Sequence, residues 1–213
     1  MSDSKLKLSI RGWDNPSYQR FVQADGEVGI ALGENSEDTI SHHAAVLAYA
    51  IRSYGIGDVD QERLRIVDPF EVDIQTFHGS WFDCDKGQLI SKGVVTTKAG
   101  FSTVDPYFVD IVDYSSRSSN VPNLWHPGGF AYAFCDPPYG LRIERSETQK
   151  LYTAITSQLI PDKDVKIYNW HCKKLLEAVP ELGSGTEWWG VFAFTIFVPK
   201  SGRIFGIVAS TTD

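Results

Sequence analysis

A chain of 213 residues, 42% hydrophobic and 13% aromatic, is long enough to bury a substantial core, and its length favours a single domain. With 20 basic against 27 acidic residues the net charge is −7, which argues against tight, sequence-independent binding to a nucleic-acid backbone. The three cysteines, Cys84, Cys135 and Cys172, are odd in number and form no C-x-x-C pair, so neither a zinc ribbon nor a disulfide framework is indicated.

From the N-terminus, Met1–Leu8 lacks the apolar core of a secretory signal, and no run approaches membrane-spanning length. A cytoplasmic protein without membrane contact is the expectation. Lys5–Ile10 alternates with period two and predicts a half-buried strand. Trp13-Asp14-Asn15-Pro16 is turn chemistry leading into a short helix through Phe21, and Val28–Leu32 is a short apolar run. Thr39–Tyr54 predicts a helix: Ile40, Ala44, Leu47, Ala48, Ile51 and Tyr54 recur at spacings of three and four, and Gly55 ends it. His42 and His43 fall in its first turn about 100° apart, which suits surface or boundary positions better than shared chelation of one metal.

Leu64–Val67, Phe70–Phe77, Gln88–Thr97 and Tyr107–Val112 read as strands, and no helix is expected between Gly55 and Ser146. Ser146–Ile160 predicts a helix capped by Ser146 and stopped by Pro161. Val165–Trp170 reads as a strand and His171–Val179 as a helix. Trp189–Val198 and Arg203–Ala209 form a hairpin across Pro199-Lys200-Ser201-Gly202, apolar on both faces and therefore covered on both sides. The fold class is α/β or α+β: one domain with a mixed, strand-rich sheet, antiparallel in the middle and ending in a buried hairpin. Residues 1–125 make an acidic, strand-rich half, and 126–213 a β-α-β-α-β-β half.

Within that second half, Gly129–Gly140 runs Gly-Phe-Ala-Tyr-Ala-Phe-Cys-Asp-Pro-Pro-Tyr-Gly. Prolines cannot continue a central ladder, so the run predicts a strand that presents Asp136 at its tip. Asp136-Pro137-Pro138-Tyr139 resembles the Asp-Pro-Pro-Tyr motif of S-adenosylmethionine-dependent methyltransferases that modify exocyclic amines of nucleobases. The resemblance implies S-adenosylmethionine as cofactor and a nucleobase-containing substrate. Asp136 and the Pro137 carbonyl would accept hydrogen bonds from the target amine, and Tyr139 would stack on the base. Pro138 and Phe134 would complete the substrate site, with Trp125 and His126 in the glycine-rich turn before the run. The family's glycine-rich cofactor loop has no counterpart, Gly29–Asn35 coming nearest.

A second reading needs no chemistry. The acid excess lies wholly in residues 1–125, which hold 18 acidic and 11 basic residues against 9 of each beyond. Between Gly55 and Asp85, eight carboxylates face only Arg63 and Arg65. Asp58, Asp60, Glu62, Glu71, Asp73, Asp83 and Asp85 could meet a basic protein partner, as immunity proteins and nucleic-acid mimics do. They follow no ordered ligand spacing, so no metal is expected. Oligomeric state is not legible in the sequence.

Overall fold

The C-terminal hairpin is the middle of the sheet. In the computed structural model, which describes residues 7–57, 59–79, 81–89, 95–97, 100–102, 129–187 and 189–210, strands β9 (Val191–Val198) and β10 (Arg203–Ser210) pair along their whole length. β2 (Gly29–Glu34) and β1 (Ser9–Gly12) extend the sheet beyond β10. On the other side, β8 (Lys166–Asn169) and the edge strand β3 (Phe70–Val72) follow β9. All pairings in this six-stranded sheet are antiparallel, which selects α+β from the two classes the sequence left open. Two short ladders stand apart: β4 (Phe82–Asp83) with β5 (Gln88–Leu89), and β6 (Val95–Thr97) with β7 (Gly100–Ser102).

Period-two alternation in the hairpin splits the protein into two cores. Phe192, Phe194, Ile196, Phe205 and Ile207 point to one face and pack with helices α1 (Pro16–Gln23), α5 (Gly129–Cys135) and α6 (Arg145–Leu159). Val191, Ala193, Ile204 and Val208 point to the other, under helix α2 (Ile40–Tyr54). A sheet so covered needs no polar alternation, as the two-faced apolar runs anticipated. α2 begins and ends where the sequence placed it: Thr39 caps it, accepting from the His42 N–H, and Gly55 closes it at φ 86°. α1 starts on Asn15, whose side chain accepts from the Tyr18 N–H at 3.0 Å, with Pro16 in its first turn. α7 (Lys173–Ala178) and a 3-10 turn, Pro180–Glu187, complete the α2 side.

Five expectations are corrected. Gly129–Cys135 is a helix, not a strand. Phe130 and Phe134, one turn apart, both turn inward, and even the half-buried Tyr132 and Cys135 pack against the first core, so the helix has no polar stripe to betray its period. Leu64–Val67 is not a strand but the end of helix α3 (Gln61–Arg65) and the residues after it. The strand expected over Phe70–Phe77 stops at Val72, because Asp73 caps helix α4 (Ile74–His78) by accepting the Thr76 N–H at 2.6 Å. Three helices therefore lie between Gly55 and Ser146 among the described residues. α6 begins one residue early, with Glu144 at its N-cap and no side-chain capping bond. The strand expected at Tyr107–Val112 lies outside the described residues.

Between α4 and α6 the first core contains one buried polar pair. His78 Nδ1 sits 2.6 Å from the Tyr152 hydroxyl, both groups buried. Burial holds the imidazole neutral, pulling its pKa from the ordinary 6.5 to about 4. The unfolded chain therefore takes up this proton first as pH falls. The contribution is whole above about pH 6.5 and is lost toward pH 4, a difference of about 3 kcal/mol. Urea midpoints should fall between neutral pH and about pH 5, and the fall should be smaller in His78→Gln. His43, also held low by burial, adds slope of the same sign. An unchanged pH profile in His78→Gln would contradict this assignment.

Candidate functional site

The Asp-Pro-Pro-Tyr residues follow a helix and make a turn. The Asp136 N–H closes α5 on the Tyr132 carbonyl at 2.9 Å, and the Pro137 carbonyl accepts the Gly140 N–H at 2.9 Å. Pro137 is buried, Asp136 half-buried, Pro138 exposed, and Tyr139 75% exposed. Phe134 belongs to the core: it is 1% exposed and stacks on Phe21, ring centroids 4.0 Å apart, which leaves no face for a substrate. Asp136 and Tyr139 are thus surface neighbours on one turn, while Trp125 and His126 lie outside the described residues. Cys135 is half-buried, in contact with the first core.

A polar hub lies on the opposite face of the sheet. His43, 3% exposed, sits between two partners: Nε2 is 3.0 Å from Asp38 Oδ1, and Nδ1 is 2.8 Å from Thr195 Oγ1. A carboxylate only accepts, so Nε2 carries the proton, and Nδ1 accepts from the threonine hydroxyl. Thr195 Oγ1 in turn accepts the Trp170 indole N–H at 2.8 Å. Asp38 also receives Lys166 Nζ at 2.6 Å and the Tyr168 hydroxyl at 3.2 Å. Partial burial raises the Asp38 pKa, but hydrogen bonds from Lys166 and His43 outweigh it and hold the carboxyl below its ordinary range. Burial lowers the His43 pKa despite the neighbouring carboxylate. This Asp–His–Thr row has the residue types of a nucleophilic relay. Yet Thr195 is fully buried and its oxygen already accepts an indole N–H, so no substrate carbonyl can reach it. The hub fastens the start of α2 to β8 and β9.

Beside the hub the chain from Arg65 to Gln75 runs along the edge of the sheet. Ile66 is 73% exposed and Phe70 51% exposed. A cleft of about 520 Å³ opens there, with Ile40, Ile66, Val67 and Pro69 for its apolar part and Asp38, Asp68, Arg65 and Lys174 for its charges. On the other side of β3 a groove of about 690 Å³ is lined by Glu71, Asp73 and Cys84 over Val72, Ile74 and Ile167.

The acidic candidates divide into two groups. Asp60 caps α3 and lies 3.6 Å from Arg63, and Glu62 lies 2.5 Å from Arg65, so α3 carries its own counter-charges. Asp58 is outside the described residues. Asp73, Asp83 and Asp85 converge on Cys84: burial first, then these three carboxylates, push its thiol pKa up. Glu71 lines the same groove.

No family model, curated protein or solved structure matches the chain. Among the described residues no group of three or more His, Cys, Asp or Glu side chains is placed to hold a metal ion, and no helix is long and apolar enough to cross a membrane. What the surface offers is an apolar edge set among carboxylates.

Sequence reasoning did not single out Ile66, Phe70, Asp38 or Thr195. A strand reading of 64–67 put Ile66 into a ladder, and nothing local distinguishes an exposed isoleucine from a core one. The His43–Thr195 bond spans 152 positions and leaves no sequence signal.

Proposed function

We propose that the protein is a non-catalytic binding protein, immunity-protein-like in its mode of action, that engages a basic protein partner through the 58–85 segment. The observation that carries this reading is the exposure of Ile66 and Phe70 on one short stretch at the sheet edge. Large apolar side chains displayed together among charges are what a protein interface uses as anchors. Asp68, Glu71, Asp73, Asp83 and Asp85 around that stretch supply a field that speeds encounter with a cationic surface and weakens in salt. A cytoplasmic setting suits the free cysteines Cys84, Cys135 and Cys172.

The methyltransferase reading stands second. The exposed ring of Tyr139 beside Asp136 favours it, since a base could stack there. The helix ahead of the motif and the antiparallel sheet lend it no support. Calorimetric titration with S-adenosylmethionine separates the two, saturable heat favouring the enzyme.

The binding reading is tested by capture from lysate of the producing cells at low and high salt, with wild-type bait and with Ile66→Glu and Phe70→Glu. Wild type should retain one basic polypeptide at low salt and release it at high salt, and each variant should lose it. Both variants should unfold within about 0.5 kcal/mol of wild type, because the side chains replaced are mostly in water. Equal retention by variants and wild type would overturn the assignment.

A further inference from the structure

The groove on the far side of β3 extends the binding reading, on which this inference rests, to the chemistry of what is bound. Its floor is aliphatic: Val72, Ile74 and Val165 are half-buried, packed below against the first core and open above, and Ile167 is buried beneath them. Two carboxylates, Glu71 and Asp73, line that floor, and two more, Asp83 and Asp85, flank the wall residue Cys84 in sequence.

Two of the four are fixed in direction. Asp73 is pinned by the Thr76 N–H at 2.6 Å, and Asp83 by the N–H groups of Asp85 and Lys86, each at 3.0 Å. Charges held this way need no reordering to receive a cation. Lys86 leans on Asp83 at 3.4 Å, and Lys163 is the single cation among the lining residues, so acid remains in excess.

A groove with this floor and rim complements an aliphatic side chain with a cation on either side. The outer edge of β3 has no strand paired to it among the described residues, so an extended segment can lie alongside it. We propose that the groove receives, from the basic partner, an extended segment in which an aliphatic residue is flanked by lysines or arginines. The aliphatic side chain would cover Val72, Ile74 and Val165, and the cations would meet Glu71 and Asp73.

Cys84 is an exposed thiol on the groove wall and so reports on occupancy. The probe is a seven-residue peptide with one central leucine between lysine pairs, compared with its leucine-to-alanine and lysine-to-glutamate forms. Alkylation of Cys84 by iodoacetamide is followed by peptide mapping, alongside fluorescence anisotropy of the labelled peptides.

The leucine peptide should slow Cys84 alkylation at least about fivefold at saturation and bind more tightly than the alanine form by about tenfold, the worth of the aliphatic burial lost. The glutamate form should neither bind nor protect. Asp73→Asn, which keeps the α4 cap, and Glu71→Gln should each weaken the leucine peptide, and added salt should weaken it further. An unchanged alkylation rate at millimolar leucine peptide would overturn the groove assignment. So would equal protection by the alanine form. Either result, with capture through Ile66 and Phe70 intact, removes the groove and leaves the binding reading standing. Loss of that capture fails the binding reading itself.

Discussion

Gly206→Ala is expected to destabilise the protein by about 3 kcal/mol, far more than one added methyl group costs at most sites. Gly206 lies in β10 directly beneath α2. A Cβ there would stand 2.9 Å from the Val46 carbonyl oxygen and 3.1 Å from the Leu47 nitrogen. Those are backbone atoms of a helix, and no rotamer change can move them aside. The helix must lift, and with it the contacts of Val46, Leu47 and Ala50, all fully buried. Gly33 on the neighbouring β2 strand shows the same close approach, its Cβ position 2.5 Å from the Val46 side chain. Gly183→Ala is the control, since nothing lies within 4 Å of its Cβ position. Urea unfolding of both variants measures the difference, and equal midpoints would contradict the close packing of α2 on the sheet.

Thr195→Val is the second large effect, also about 3 kcal/mol. Valine matches threonine in shape and loses only the hydroxyl, so almost no packing changes. What changes is that the Trp170 indole N–H and His43 Nδ1, both buried, lose the oxygen between them. Two unpaired polar groups in one core cost their desolvation in full. Thr195→Ser keeps the oxygen and gives up a methyl, so it should cost about 1 kcal/mol. Denaturant titration of the two variants orders them, and a valine variant as stable as the serine one would show that the hub contributes nothing.

The elements legible in the sequence were those with a stripe or a stop signal. Thr39 and Gly55 framed α2, and Pro199–Gly202 joined two runs whose apolar residues on both faces required cover on both sides. Gly129–Cys135 was illegible for the same physical reason that makes it a core helix. Its half-buried residues, Tyr132 and Cys135, also pack against that core and carry no charge, so its period vanishes, and an aromatic run before two prolines reads equally well as a strand. At Asp73 the alternation of Glu71-Val72-Asp73-Ile74 mimicked a strand, while the carboxylate was acting as a helix cap. The acidic character of 58–85 was plain in composition. Its division was not, because Arg63 and Arg65 cancel Asp60 and Glu62 only once α3 sets the three-residue spacing. Burial decides the rest of the site. Ile66 and Leu64 are two residues apart in sequence, one in water and one in the second core.

The most direct test of the binding reading is site-specific photo-crosslinking, with benzoylphenylalanine placed in turn at Phe70 and at Tyr139 and the protein irradiated in cells that produce it. Cross-links from position 70 to one basic polypeptide, with none from position 139, are the expected result. Cross-links from position 139 to a nucleic acid or nucleotide, with none from position 70, would contradict it and move the site to the Asp136 turn.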